Sequence, residues 1–554
     1  MKNILVIGAV AAGTKAASKA RRESMDVNVT VLTRDEYISY AGCGLPYYIG
    51  DVIKSKDELL VKTPEAFKKE FDIDVLTHHE AIDILPEEKK VVAKDLKTNK
   101  IKEFKYDKLI LATGASPFVP PIKGVELSNI FTLRTVSEAI KIKKLINTGK
   151  VKTAVVVGGG FIGLEVAENL TERGIKTTVV ELMEHVLPMY DKEMALLVQK
   201  ELKEHGVDVI TGEAVEAFEG DPDGNVKYAV TPSRKIPADM VVMSVGVRPN
   251  TELAQKAGIE LGDTRAIKVN QNMETNIEDI YAVGDCAENI NLITGKPAWY
   301  PMGSTSNKTG RIAAINLFAE NTEKDELRGV LGTNVVKVFN INAAKTGLTE
   351  REAIKEGFDV ETVIIPADDR AHYYPGYRKI ITKLIADKKS HRVLGAQIVG
   401  EGVVDKPIDI IATAITFGAR VDDLAKLDLA YAPPFSSAMS STITTANVWL
   451  NKVADKVKGI SPIKAHEKLS DKNVMFIDIR AEEEYMVKTI PGAVNIPKGK
   501  LKKELKDAAK DKEIILICNI GKNAYLAYLT LKHIGFKKVA ILEGGINAYP
   551  YELQ

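Results

Sequence analysis

The sequence predicts a multidomain α/β chain, on three observations. A short apolar strand that runs into a glycine turn and a helix occurs at Asn3–Gly13 (NILVIGAVAAG) and again at Thr153–Gly163 (TAVVVGGGFIG). Each is followed by a helical stretch and a further apolar strand, Val27–Leu32 and Thr177–Val180, so each reads as a βαβ unit. Near the C-terminus the short apolar runs Val474–Ile477, Ile514–Ile517 and Val539–Leu542 alternate with helical stretches, as in a separate small α/β domain.

Between these parts, residues 334–450 mix strand-like runs (Asn334–Phe339, Lys379–Ile385, Val393–Val399) with one helical segment, Pro407–Phe417. That is an α+β pattern without a glycine-rich phosphate loop. Val448–Gly459 reads as a helix end and linker. At 554 residues the chain exceeds what one hydrophobic core supports, and roughly 100–200 residues per domain gives about three to five domains.

Composition narrows the function classes. Hydrophobic residues make up 45% and charged residues 27%, and the formal net charge is +1, so nothing in the whole-chain balance argues for nucleic acid or a membrane. The three cysteines, Cys43, Cys286 and Cys518, lie far apart, which excludes a disulfide framework and leaves no pair at zinc-ligand spacing. A reducing cytoplasm is the expected location. The apolar run Ile4–Ala12 superficially resembles a signal peptide but breaks at Gly8 and Gly13, which suits a buried first strand and its turn. The uncharged run Thr153–Leu164 is twelve residues with three consecutive glycines, too short for the ~20 residues a membrane span needs.

In the second glycine cluster, Gly158, Gly160 and Gly163 fit G-x-G-x-x-G between strand and helix. Gly158 permits the turn, Gly160 lets backbone approach a pyrophosphate, and Gly163 lets helix pack on strand. Glu181 closes the next strand, eighteen residues beyond Gly163, where a carboxylate accepts from a ribose and repels a 2′-phosphate. NADH is therefore expected over NADPH. The first cluster departs from the pattern: Gly8 and Gly13 are in place, but Val10 holds the middle position and Thr33 the place of the acid, with Asp35 and Glu36 beyond it.

Two further strand-and-turn segments complete a set. Tyr106–Ala115 (YDKLILATGA) enters a turn able to touch a dinucleotide, and Thr275–Asp285 (TNIEDIYAVGD) places Asp285 where it can hold a ribityl hydroxyl. With these, residues 1–450 resemble the flavoprotein disulfide reductases with two dinucleotide-binding domains, FAD in the first and NAD(P)H in the second. The resemblance implies an FAD-binding domain from residues 1–115 and 250–330, an NAD(P)H-binding domain inserted at 116–249, and a dimerisation domain at 331–450. The cofactor-binding set it implies is Gly8, Val10, Ala11, Gly13, Thr33, Ser39, Thr113, Gly114, Gly158, Gly160, Gly163, Glu181, Gly246 and Asp285.

Ser39–Pro46 (SYAGCGLP) narrows the branch. Dithiol members carry two cysteines; here only Cys43 is present, as in the single-cysteine coenzyme A-disulfide reductases, NADH-dependent persulfide reductases, NADH oxidases and NADH peroxidases. Tyr40 and Gly42 depart mildly from the S-F-x-x-C this branch usually shows. One thiolate beside a flavin can exchange with one external sulfur and be regenerated by two electrons. Lys15, Lys19 and Arg22 fall at i, i+4 and i+7 on one face of the helix after the first glycine turn. The resemblance makes that face, with Ser39 and Gly42, a coenzyme A site, coenzyme A being substrate or bound carrier. Peroxidases of this branch commonly place a histidine on that helix; the first histidine here is His78.

His372–Gly376 (HYYPG) and Ala430–Ser436 (AYAPPFS) resemble segments that reach the other subunit's active site in this family's homodimers. Tyr431 is then the candidate to protonate a leaving thiolate, supported by Tyr373 or Tyr374; a phenol has a pKa near 10 and donates without ionising at rest. Residues 460–554 resemble a rhodanese domain through Phe476–Arg480 (FIDIR), Ile490–Pro497 (IPGAVNIP) and Leu542–Ala548 (LEGGINA). Its active loop is Cys518–Ala524 (CNIGKNA), whose successive N–H groups would cradle an anionic persulfide. The loop's usual arginine is Asn523, with Lys522 beside it, which weakens the case for thiosulfate. Cys286 reads as structural.

The expected activity is FAD-dependent NAD(P)H reduction of coenzyme A disulfide, persulfide or polysulfide through Cys43, with Cys518 relaying sulfane sulfur, loaded in one scheme by a sulfur-donor protein. The alternatives are an NADH oxidase or peroxidase, and a sulfur carrier with a vestigial reductase part.

Overall fold

The computed structural model describes residues 1–319, 323–506, 508 and 510–554. The chain divides into two compact units, residues 1–180 with 213–332, and residues 181–212 with 333–554. Among the described residues, no helix is long and apolar enough to cross a membrane.

The first unit is organised by two parallel sheets. In one, the strands run Ile280–Ala282, Lys108–Leu111, Lys2–Ile7, Val27–Leu32 and Asp74–Leu76, all parallel. Ile4 and Val6 pack on one face and Leu5 and Ile7 on the other, so side chains alternate between two cores. That explains the unbroken apolar run: a parallel sheet covered on both faces has no polar side. Helix α1 (Ala11–Glu23) covers one face, and Ala12, Ala16, Ala17 and Ala20 let it sit close. In the other sheet Thr153–Val157 lies between Lys176–Glu181 and Met240–Met243, with Ile130–Thr132 beyond. The chain thus leaves the first sheet after Leu111 and returns to it at Ile280.

Three helices of this unit matter for the site: α2 (Leu45–Ile49), α3 (Val136–Asn147) and α4 (Phe161–Glu172). Helix α3 opens with Thr135 and Glu138 capping each other's backbone, which fixes where it starts. Two three-stranded antiparallel sheets, His79–Leu85 with Lys90–Asp95 and Ile101–Lys105, and Ala217–Gly220 with Val226–Val230 and Lys235–Pro237, were not expected from the sequence.

The second unit holds helix α5 (Lys192–Glu204) and an antiparallel sheet in the order Asn334–Val338, Ile341–Gly347, Val393–Gly400, Lys379–Asp387, Val360–Asp368. The helix expected at Pro407–Phe417 spans Asp405–Thr416. Helix α6 (Ser441–Val453) buries Trp449, whose Nε1 donates to Glu361 O at 2.8 Å. The expected linker is shorter than read, because Gly459–Ile460 already pairs with Val539–Leu542. This last sheet runs Gly459–Ile460, Val539–Leu542, Glu513–Ile517, Val474–Asp478, Val494–Asn495, all parallel, with helix α7 (Lys522–His533) following Glu513–Ile517.

One side chain contradicts the apolar look of its strand. Lys383 is 1% exposed, and its ammonium lies 3.0 Å from Asp191, 2.8 Å from Glu193 and 2.6 Å from Glu350. The three carboxylates hold its pKa above the ordinary value despite burial. Asp191 also accepts from Gln397 at 2.7 Å. Removing the cation leaves three carboxylates around a buried hole, so Lys383→Met is expected to destabilise the second unit by about 3–5 kcal/mol. Urea unfolding followed by circular dichroism reads this; an unchanged midpoint would show the cluster to be inessential.

Candidate active site

Cys43 sits on a short turn pinned at both ends. Ser39 adopts a left-handed φ of 45°, its N–H donates to Ala9 O at 2.7 Å, and its carbonyl accepts from Val61 N at 2.8 Å. The chain therefore crosses directly behind the first glycine turn. Gly42–Gly44 forms one 3₁₀ turn, exposing Cys43, and Gly44 faces Leu59 so closely that a Cβ would lie 2.6 Å from its Cδ2. Helix α2 follows at once, with Pro46 in its first turn.

Beyond α2 the chain is clamped to α3 and α4. A Cβ on Gly50 would fall 1.9 Å from Asn169 Oδ1, so the helices touch backbone to side chain. Asp51 accepts from Lys143 on α3 and from Arg173, each at 2.8 Å. The Lys143 ammonium lies 3.9 Å from the centre of the Tyr48 ring. Tyr47 donates through its hydroxyl to Glu165 Oε1 on α4 at 3.1 Å. Cys43, Tyr47 and Glu165 thus form one cluster.

The electrostatics of this cluster favour the neutral forms. Burial pushes the Cys43 thiol up, Glu165 and Asp285 push the same way, and Arg134 opposes them. Burial raises Glu165 to about 7, with Glu168 adding to the rise and the Tyr47 hydroxyl countering it. Asp285 is fixed by Arg134 at 2.7 Å and Ser306 at 2.8 Å, and its carbonyl accepts from Trp299 Nε1 at 2.8 Å.

The two glycine turns have nearly superimposable constraints. Gly8 (φ 110°) and Gly158 (φ 106°) each approach a carbonyl so closely that a Cβ would lie 2.1 Å from Ala112 O and 2.2 Å from Ser244 O. Gly13 and Gly163 in turn sit against the carbonyls of Gly8 and Gly158. A Cβ on Gly160 would meet nothing within 4 Å; Val10 takes the matching place before α1. Neither α1 nor α4 has an acidic residue in its first turn or a side-chain cap, so Ala11 and its neighbours present helix N-termini suited to an anion.

The remaining cofactor candidates lie at strand ends. Thr33 is buried just beyond Val27–Leu32 and accepts from Asp35 N at 3.3 Å. Glu181 ends its strand and accepts from Met183 N at 2.8 Å. Thr113 and Asn250 exchange two hydrogen bonds, of 2.7 and 2.8 Å, beside Gly114 and close to Gly246, where the paired strands Ala115–Pro117 and Val247–Pro249 link the parts of the unit. On α1, Lys15 and Lys19 are half-buried and Arg22 is exposed, its guanidinium 6.0 Å from the Phe71 ring centre. Lys19 is paired with Glu23, which the sequence reading of a basic face left out.

In the second unit, the Tyr373 and Tyr431 hydroxyls lie 3.2 Å apart, and Tyr374 donates through its N–H to Ala371 O at 2.8 Å. All three rings are exposed. Cys518 follows Glu513–Ile517 and is buried; its Sγ accepts from Gly521 N at 3.0 Å, at the start of α7. Lys522 and Asn523 point to solvent. Arg480 is held by Asp478 at 2.6 Å and reaches Asn519 Oδ1 at 3.3 Å, while Asn519 donates to Glu484 at 2.7 Å. Cys286 is buried, its thiol directed at Val283 O at 3.2 Å.

Comparison with known proteins shows the family. Residues 2–300 match the family described as pyridine nucleotide-disulphide oxidoreductase, residues 333–443 its dimerisation domain, and residues 461–550 the rhodanese-like domain. The chain belongs to the pyridine nucleotide-disulphide oxidoreductases. It is 37% identical over 448 residues to the NAD(P)H coenzyme A polysulfide/persulfide reductase of Pyrococcus horikoshii, covering 81% of this chain and 98% of that protein. Among solved structures it resembles an NAD-dependent persulfide reductase from A. fulgidus (TM-score 0.93, 43% identity, 99% of this chain and 100% of that one). It also resembles the reduced CoADR-RHD of Bacillus anthracis (TM-score 0.93, 37% identity, 99% and 97%).

Pyridine nucleotide-disulphide oxidoreductases use FAD and NAD(P)H, and the residues present fit both groups. Two helix N-termini whose N-cap residues, Val10 and Gly160, give no side-chain cap, an open position at Gly160, and an Asp285 carboxylate oriented by Arg134 and Ser306 suit two pyrophosphates and a ribityl chain. Sequence reasoning missed Tyr47, Glu165 and Arg134. Glu165 had a signal: it is an acid two residues past Gly163, on a helix otherwise apolar around it.

Because Glu165 holds the thiol up once it ionises, Glu165→Gln is expected to speed iodoacetamide alkylation of Cys43 at pH 8 by roughly two- to tenfold. Folding favours neutral Glu165, so its contribution to stability is full below about 4.5 and is lost as pH rises through about 7. The parent should therefore lose stability relative to Glu165→Gln across that interval. Equal alkylation rates and parallel pH–stability curves would disprove the coupling.

Proposed function

We propose that the chain is an NADH-oxidising reductase of coenzyme A disulfide and persulfide, acting through Cys43. The observation that carries this reading is a single exposed thiol held on a pinned turn, with the other two cysteines, Cys286 and Cys518, buried elsewhere. The similarity to the P. horikoshii coenzyme A polysulfide/persulfide reductase and the A. fulgidus persulfide reductase supports the same substrate class.

The sulfur steps balance simply. The Cys43 thiolate attacks one sulfur of coenzyme A disulfide, forming a mixed disulfide and expelling a thiolate that takes a proton. With a persulfide it takes the outer sulfur and coenzyme A leaves as the thiol. Bound FAD supplies the two-electron exchange between nicotinamide and sulfur. Two electrons then cleave the new S–S bond, returning the Cys43 thiolate and releasing coenzyme A or hydrosulfide.

The chain's residues have these proposed roles. Gly8, Val10, Ala11, Gly13, Thr33, Ser39, Thr113, Gly114 and Asp285 line FAD; Gly158, Gly160, Gly163 and Gly246 receive the nicotinamide nucleotide, with Glu181 selecting NADH. Lys15, Lys19 and Arg22 take coenzyme A phosphates, Lys19 exchanging Glu23 for a phosphate, and Ser39 and Gly42 flank the thiol end. Tyr431, hydrogen-bonded to Tyr373 and neighboured by Tyr374, protonates the leaving thiolate in a homodimer. Cys518 carries sulfane sulfur, loaded by a small polysulfide or a donor protein. The domains are residues 1–115 with 250–330, 116–249, 331–450 and 460–554, in a cytoplasmic protein.

Steady-state NADH consumption tests this reading. Coenzyme A persulfide or disulfide should outpace oxygen and hydrogen peroxide as acceptors; faster turnover with oxygen or peroxide would make the protein an oxidase or peroxidase. Cys518→Ser should lower turnover of polysulfide while leaving that of coenzyme A disulfide unchanged. Equal losses on both would remove the relay.

A further inference from the structure

Within the second unit, the C-terminal sheet is seated on the antiparallel sheet through one buried carboxylate. Val360–Asp368 is an edge strand, paired only with Lys379–Asp387, so its outward N–H groups need other acceptors. Ile364 N donates to Glu543 Oε2 at 3.1 Å. Glu543 Oε1 accepts from Lys452 Nζ on α6 at 2.6 Å, and Lys452 also donates to Thr362 O at 2.8 Å and pairs with Glu361 at 2.8 Å. Glu543 N donates to Ile460 O at 3.0 Å, and a Cβ on Gly459 would lie 2.1 Å from its Oε1. Nothing larger fits there.

The same few residues support the Cys518 loop. Gly544 (φ 72°) and Gly545 (φ 57°) turn the chain directly after Glu543, and a Cβ on Gly545 would fall 2.1 Å from Cys518 O. Ile546 N then donates to Cys518 O at 2.9 Å, and Asn547 N to Asn519 O at 3.3 Å. Only Gly544 and Gly545 separate the docking carboxylate from the N–H that holds the carbonyl of Cys518.

We infer that Lys452 and Glu543 form a buried latch that sets the Cys518 loop, so that sulfur uptake at Cys518 depends on how its domain is seated on the sheet. The inference rests on the relay proposed above and assigns Glu543 a positioning role in it. In that step the Cys518 thiolate takes one sulfane sulfur from a polysulfide dianion, and the shortened polysulfide leaves with the electron pair of the broken S–S bond. The charged groups around Glu543 are Lys452 and Glu361, with Glu350 and Lys464 lining the adjacent cavity. Burial drives Glu543 toward its neutral form and Lys452 opposes this. Without the cation, the buried carboxylate keeps only the Ile364 N–H to offset its charge, and the turn after it loses half its anchor.

The test uses full-length, FAD-loaded protein, inorganic polysulfide as donor and iodoacetamide as probe, with Cys518 quantified by peptide mass spectrometry. Lys452→Met should slow both sulfur loading and alkylation of Cys518 by roughly three- to tenfold, the range one lost hydrogen bond supports. The loss should shrink as pH falls and Glu543 takes a proton, and Lys452→Arg should retain parental rates. Lys452→Met with Glu543→Gln, neutral on both sides yet still accepting from Ile364, should recover most of the rate. Reduction of coenzyme A disulfide should be unchanged throughout. If Lys452→Met does not fold, Glu543→Gln alone should give an intermediate, smaller loss. Parental alkylation in Lys452→Met, or in Glu543→Gln where that variant replaces it, overturns the latch, as does a double variant no faster than the single. If parental Cys518 takes up no sulfur, the relay fails, and the alkylation series still decides the latch.

Discussion

The site depends on one packing contact, the seating of α2 against α4. Cys43 precedes α2 by two residues, and everything that fixes α2 fixes the thiol: the Tyr47–Glu165 hydrogen bond, Gly50 against Asn169, and Asp51 between Lys143 and Arg173. On its other side the turn is tied to the first glycine turn through Ser39 and Ala9. A sulfur meant to exchange electrons with bound cofactors needs this double restraint, because small displacements cost large factors in rate. The partners come from both βαβ halves of the unit, Ala9 behind the first glycine turn and Glu165 on the helix after the second.

The same contact controls charge. Although Cys43 is exposed, desolvation by the packing around its turn and a neighbouring carboxylate push the thiol up, while Arg134 pulls the other way. Burial raises Glu165 to about 7, and once ionised it opposes the Cys43 thiolate. In the second unit a different device recurs: buried lysines, Lys383 and Lys452, gather carboxylates from separate segments and join them. Such pairs define register more than they add stability.

Much of the fold was legible because the parallel strands advertise themselves. Ile4–Ile7 and the glycine turns at Gly8 and Gly158 could be read directly, since a strand covered on both faces needs an apolar run and the turns exclude a Cβ. The antiparallel ribbons were not: Lys90–Asp95 and Ile101–Lys105 carry lysines and acids on their wet faces, which look like loop composition. The role of Lys383 within the strand-like run Lys379–Ile385 was hidden, because its three partners are Asp191, Glu193 and Glu350, far along the chain. The Tyr47–Glu165 contact was hidden for the same reason, although Glu165 itself could be noticed two residues past Gly163, whereas the Lys19–Glu23 pair, one helical turn apart, was open to inspection.

The central claim is that Cys43 alone passes electrons to external sulfur. Replacing Cys43 with serine in the full-length, FAD-loaded protein and following hydrosulfide release from coenzyme A persulfide with NADH tests it most directly. The account predicts a fall of at least about a hundredfold, as for loss of a covalent nucleophile, with NADH still able to bleach the flavin. Hydrosulfide release at the parental rate would contradict it.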